Sequence, residues 1–166
     1  MLALLLLFAA APEPCVAADG EVQRQLTLEY DEFDTDTGDY AWRQLNGRGC
    51  VDEALGLLAA YGKAHPSLPQ SKRSEMAFHA GQALAFHGRD AEAIPYFQRA
   101  LDIGGDIEWI TYVAANFAFL KRDKAGLERA RERYAALSPH SMRLKILDGF
   151  IACFPKSYMD AAHCGM

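Results

Sequence analysis

Along most of this chain, apolar and small residues recur at helical spacing in paired stretches separated by a turn residue. The clearest pair lies between Ser74 and Leu101, which reads SEMAFHAGQALAFHGRDAEAIPYFQRAL. Its first half places Ala77, Ala80, Gly81 and Leu84 on one stripe, and its second half places Ala93, Phe97, Ala100 and Leu101 on another. Both stripes follow the 3.6-residue period of an α-helix. Small side chains on the first therefore face large ones on the second. Gly88 tolerates left-handed backbone and Arg89-Asp90 supplies a capping acid, so one helix ends and the next begins within about three residues.

The same pattern extends in both directions. Upstream, Ala54, Leu58, Tyr61 and Pro66 repeat the second-helix pattern, Gly49 is the turn, and Ala41, Trp42 and Leu45 form a first helix. That helix is predicted to be short, because residues 31–39 resist helix and Gly47 ends it early. Downstream, Ala114, Ala115, Asn116, Ala118, Asp123, Leu127, Tyr134 and Pro139 fall in a third register, with Arg122 where a turn glycine would stand. Met142 to Cys153 carries a last first-helix pattern with Gly149 at its small position, and Pro155 stops it.

Gly81, Gly88, Ala93, Phe97 and Ala100-Leu101 match the order and spacing of a tetratricopeptide repeat, and the chain resembles that family at a period of about 34 residues. The resemblance implies an all-α fold: a short right-handed α-solenoid of about three such helix pairs plus a C-terminal capping helix. The repeats with their cap span 39–154, between an acidic segment at 19–38 and a tail at 155–166. Three repeats are about the minimum that bury a shared core.

In that family the first helix of each pair lines a concave groove that takes peptides or protein segments. Carried over, the groove consists of Arg43 and Asn46 from the first unit and Glu75, Phe78, His79, Gln82 and Phe86 from the second. The third contributes Trp109, Tyr112, Asn116 and Phe119. Asn116 matches an asparagine that holds a ligand backbone, and His79 stands where the family commonly has asparagine. Phe78, Phe86 and Tyr112 suit packing between repeats as well as they suit the groove, whereas Trp109 suits the groove better. The paired basic positions that grip a terminal carboxylate are not evident.

Composition narrows the function. The chain of 166 residues is 51% apolar and 23% charged with a net charge of -5, which fits one globular domain and argues against nucleic acid and other anionic partners. Lys72-Arg73, Lys121-Arg122 and the arginines at 129, 131 and 133, interleaved with Glu128 and Glu132, read as solvated positions.

Leu2 to Ala11 is an apolar run too short for the roughly 17–25 residues of a membrane-spanning helix. It resembles a signal-peptide core, broken by Pro12 and Pro14, with Val16-Ala17-Ala18 as a cleavage site and a mature chain from Asp19. The expected location is therefore periplasmic or secreted, with no membrane insertion after cleavage. No Lys or Arg precedes the run, so the start is assigned too late or the signal is atypical; an uncleaved anchor is the alternative. Pro-Glu-Pro before Cys15 does not match the box that precedes a lipidated cysteine.

On this reading Cys15 leaves with the signal and three cysteines remain. Cys153 and Cys164 are predicted to pair around a turn at Pro155 and a short helix at 157–162. Cys50, too far along the stack to reach Cys153, is predicted to be free or buried.

No catalytic constellation emerges. The histidines at 65, 79, 87, 140 and 163 are scattered, and His79 and His87 project about 80° apart on one helix. Cys153, His163 and Cys164 lack a fourth zinc ligand. The acidic run from Glu29 to Asp39 fails as a calcium loop, because Gly38 comes one place early and Leu45 stands where a glutamate is needed. It reads as an exposed linker whose Thr37 or Asp39 caps the first helix. Before it, Leu26, Leu28 and Tyr30 alternate like a strand while Val22 and Leu26 are spaced like a helix; the segment lies on the first unit as a lid or stays loose until something binds.

The expected function is that of a non-catalytic adaptor without cofactor or metal, holding a protein or peptide partner, possible larger envelope complexes included. Three alternatives stand beside it: a small inhibitor or immunity-type protein using Tyr30 to Asp39 as a probe, a redox protein using Cys50 or Cys153, and a structural subunit whose Trp109, Tyr112 and Phe119 form a permanent interface.

Overall fold

A computed structural model describes residues 15–164, which leaves the apolar run Leu2–Ala11 outside the described residues. The described residues form ten helices and no strand. Two short ones, α1 (Glu21–Thr27) and α2 (Tyr30–Thr35), precede three pairs: α3 (Trp42–Gly47) with α4 (Val51–Ala64), α5 (Gln70–Phe86) with α6 (Asp90–Ile103), and α7 (Ile107–Leu120) with α8 (Lys124–Leu137). Then come α9 (Arg143–Ala152) and α10 (Tyr158–Ala162). None of them is long and apolar enough to cross a membrane.

The turns within the pairs use left-handed backbone. Gly49 and Gly88 have φ of 85° and 71°, and Arg122, in the third turn, has φ 57°. A side chain in that region costs of order 1 kcal/mol or more. At Arg122 long-range contacts oppose the cost: Nη1 donates to the Phe154 and Lys156 carbonyls at 2.9 and 3.0 Å, and the guanidinium lies 5.1 Å over the Phe119 ring. The third turn is thereby tied to the C-terminal tail.

Helices α5 and α6 run antiparallel in the small-on-large manner predicted. Ser74 Oγ donates to the Ala100 carbonyl at 2.9 Å at one end of the pair, and the Phe97 ring closes on Gly81 further along, where an added Cβ would meet it at 2.7 Å. Helix α4 meets α5 in the opposite direction too, with Gly62 against the Met76 methyl and Asp52 ion-paired to Arg89 at 2.7 Å. Throughout, helices pack mainly on their neighbours in the chain.

The acidic segment is not an exposed linker. Tyr30 and Phe33 lie three apart on α2 and turn inward, at 7% and 1% exposure. Phe33 stacks on Tyr61 with ring centres 3.8 Å apart, and Tyr61 Oη donates to the Leu28 carbonyl at 2.8 Å. Glu29 and Glu32 cap α2 reciprocally. Neither Thr37 nor Asp39 caps the next helix; the N-cap of α3 is Ala41, without a side-chain bond. Residues 21–27 are helical, which resolves the strand-or-helix ambiguity there, and the segment rests on α4.

Both ends of the described stretch carry a disulfide. Cys153 pairs with Cys164 as predicted, and Ser157 caps α10 by accepting from the Asp160 amide at 3.1 Å. Cys50 is buried but not free: it is bonded to Cys15, so all four cysteines are paired. A free Cys50 was expected with Cys15 removed alongside the signal; retained, Cys15 stands with its Cα 5.5 Å from that of Cys50.

Candidate functional site

The first helices α3, α5 and α7 carry the residues assigned to a groove, but the chain itself covers much of their shared face. At one end, α2 lies over α3 and α5. Asp34 is the hub: Arg43 Nη2 binds its Oδ2 at 2.7 Å, Arg43 Nε donates to its carbonyl at 2.6 Å, and His79 Nδ1 lies 3.0 Å from its Oδ1. Burial alone would raise the Asp34 carboxyl, but His79 and Arg43 outweigh it and hold it down to about 2. Lys72 bridges Asp31 at 2.6 Å and Glu75 at 3.6 Å while lying 4.8 Å over the Tyr30 ring. Burial pushes the Tyr30 hydroxyl well above its ordinary range, with the Glu75 and Asp34 charges adding to it. His79 is buried and stacked on Trp42 at 5.1 Å.

At the other end α10 presses Tyr158 onto α5 and α7. Tyr158 Oη donates to Asn116 Oδ1 at 2.6 Å and accepts from Gln82 Nε2 at 3.4 Å, and its ring meets Phe86 at 5.3 Å and Phe119 at 5.9 Å. Asn116 is fully buried and spends its Nδ2 on the Tyr112 carbonyl at 2.8 Å, so both halves of its amide are satisfied within the chain. Phe78, Tyr112 and Phe119 are core residues at 3%, 3% and 0% exposure; Phe78 sits between Phe97 and Trp109 at 5.2 and 5.0 Å. Of the first-unit pair, Arg43 is given to Asp34 and the Asn46 carbonyl is within 2.9 Å of His87 Nε2.

At the N-terminal ends of α5 and α7, away from α10, a depression of about 240 Å³ stays open around Trp109, Glu75, Glu108 and Arg143. Trp109 is half-buried and anchored through Nε1 to Ser74 Oγ at 2.8 Å. The Arg143 guanidinium lies 5.4 Å over the Trp109 ring and 4.9 Å over Tyr112. Asp106 caps α7 beneath it, accepting from the Trp109 amide at 2.7 Å. The depression offers an aromatic wall, one cation and three carboxylates, which suits a short polar segment with an apolar side chain and not an acidic one.

Sequence reasoning placed Trp109 and Glu75 here and missed Arg143, Asp34 and Tyr158. The inward spacing of Tyr30 and Phe33 was a signal for α2 and hence for Asp34; Arg143 and Tyr158 carry no local signal. For a metal, Asp34, Glu75 and His79 bring one donor atom each within 4.8 Å of one another, yet Arg43 and Lys72 already pair with the carboxylates. A second group of donors, Cys15, Cys50 and Glu53, has both sulfurs in a disulfide, as do Cys153 and Cys164. No family model matches the chain, and neither a curated protein nor a solved structure does.

Proposed function

We propose that this chain is a non-catalytic protein-interaction module of the tetratricopeptide type: a short right-handed α-solenoid of three helix pairs and a cap, acting in the cell envelope behind an N-terminal export signal. The observation that carries the reading is the open depression at Trp109 and Arg143, at the N-terminal ends of the first helices α5 and α7. A partner segment would lay one apolar side chain on Trp109 and hydrogen-bond around it, the arrangement by which grooves gain affinity and register together. On this reading Arg43, Asn46, His79 and Gln82 line the same groove; Arg43 and His79 contact Asp34 of α2, and Gln82 contacts Tyr158 of α10.

Neither the inhibitor nor the redox alternative gains support. Tyr30 and Phe33 of the supposed probe are buried, and Cys50 and Cys153 each sit in a disulfide.

The test is site-specific photo-crosslinking in cells with a benzophenone amino acid at position 109 and, as the control, at exposed position 128. A discrete adduct at 109 that is absent at 128 and lost on Arg143→Glu is expected. Identical patterns at both positions would refute the reading.

A further inference from the structure

On the side of α5 turned away from that face, α4 and α6 stand apart and leave a second cleft of about 480 Å³. Its floor and walls are Leu55, Leu58, Met76, Ala77, Ala80 and Tyr96, so its interior is apolar. Ala77 and Ala80 are the small residues of the α5 stripe; between α4 and α6 their short side chains leave the cleft its depth. The volume lies within the range usual for small-ligand sites.

Three cations line the same cleft: Lys63, Arg73 and Arg99. All three are exposed, and none has an ion-pair or hydrogen-bond partner for its side chain among the described residues. By contrast Arg24, Arg43, Arg89, Arg131 and Lys72 are each paired with a carboxylate at 2.6 or 2.7 Å. Lys121, Arg129, Arg133, Lys145 and Lys156 are likewise exposed without such a partner among the described residues; what distinguishes Lys63, Arg73 and Arg99 is that all three line one apolar cleft.

The helix directions put these cations at one end. Helix α4 finishes just past Lys63, α5 begins just before Arg73, and α6 finishes just past Arg99. Gln70 Nε2 donating to the Ile103 carbonyl and Gly62 against Met76 fix these three ends side by side. From there the apolar walls run back to Leu55, about 12 Å along α4 at the helical rise. The cleft is thus charged at one end and oily along its length.

We propose that this cleft binds a single-chain amphiphile with an anionic carboxylate head, the head at Lys63, Arg73 and Arg99 and the alkyl tail along Leu55, Leu58 and Ala80. This does not rest on the peptide-binding reading, since it concerns the opposite side of α5 and different residues. Charge complementarity selects the head, and the length and apolarity of the cleft select a mid-length tail.

The test is a fluorescence titration of the full chain with dansylaminoundecanoic acid, followed by displacement with dodecanoate and with dodecanol. Saturable binding at one site is expected, with dodecanoate displacing at least tenfold better than the alcohol. Arg73→Glu with Arg99→Glu should weaken the probe at least tenfold, and Ala59→Trp, from an exposed position lining the cleft, should abolish binding while circular dichroism stays unchanged. Absence of saturable binding, equal displacement by the alcohol, or affinity indifferent to both variants would overturn the proposal. So would displacement by an acidic amphipathic peptide but not by dodecanoate, or co-flotation with phosphatidylglycerol vesicles that Ala59→Trp leaves intact.

Discussion

His79 Nδ1 lies 3.0 Å from Asp34 Oδ1 and so joins the second helix pair to the acidic segment laid over it. Arg43 holds the other oxygen of the same carboxylate at 2.7 Å. Because the folded carboxyl titrates at about 2, below its ordinary value of 3.8, its ionised form favours the folded state. That contribution is complete above the unfolded value and is lost as pH falls through the folded one. Allowing for the partial exposure of Arg43, Asp34→Asn should lower stability at pH 7 by about 1 to 2 kcal/mol. Urea melts of both proteins should converge as pH drops from about 4 to about 2; a constant gap across that range would refute the linkage.

Tyr158→Phe tests the C-terminal cover. The change leaves Asn116 Oδ1 buried without its donor, at a cost of about 1 to 3 kcal/mol. Because Tyr158 also fastens α10 to α5 and α7, hydrogen exchange in 158–162 should accelerate more than in α5. Unchanged exchange throughout would show that the disulfide alone holds α10.

Two glycine substitutions should move stability in opposite directions. At Gly81 a Cβ would stand 2.7 Å from the Phe97 ring and 3.3 Å from Tyr96, so Gly81→Ala is expected to cost about 1 to 3 kcal/mol by overpacking. Gly56 sits within α4 with nothing within 4 Å of an added Cβ, and Gly56→Ala should gain about 0.4 to 1 kcal/mol. Denaturant midpoints decide both, and the same sign for the two would contradict the packing described.

The bond between Cys15 and Cys50 bears on the cleavage site expected after Ala18. Cleavage after Ala18 would remove Cys15 and leave Cys50 single, so the bond is compatible only with a chain that is uncut or is cut on the N-terminal side of Cys15. Intact mass and non-reducing peptide mapping of the protein isolated from its native cells should show both disulfides and an N-terminus before Cys15. A mature chain starting at Asp19 with a free Cys50 would contradict this. By loop length, reduction should cost about 4 kcal/mol at the 35-residue separation and about 3 kcal/mol at the 11-residue one.

Much of the helical plan was legible because its signals are local. Gly49, Gly88 and Pro155 end helices through their own backbone preferences, and the stripe from Ala77 to Leu84 announces its large partner Phe97 by helical period alone. Arg122 shows the limit: its left-handed backbone is stabilised by carbonyls of Phe154 and Lys156, which no window around the turn contains. The segments that lie over the first-helix residues were hidden for a related reason. Nothing near Asn116 reveals that Tyr158 will take its amide, and nothing near His79 reveals Asp34, so positions suited to a ligand were already occupied by the chain. In 29–39 the density of acids masked the inward pair Tyr30 and Phe33.

Helices that touch mainly their neighbours in sequence ordinarily melt from the tips, since an end unit has a neighbour on one side only. Here each tip is covalently tethered, Cys15 to the start of α4 and Cys164 to the end of α9. Fraying is thereby closed off as the easy route, and opening must start from the interior, where the α5–α6 pair is packed most closely. An oxidised molecule should therefore lose its structure in one cooperative step, whereas reduction should split that step and let the two ends unravel ahead of the middle.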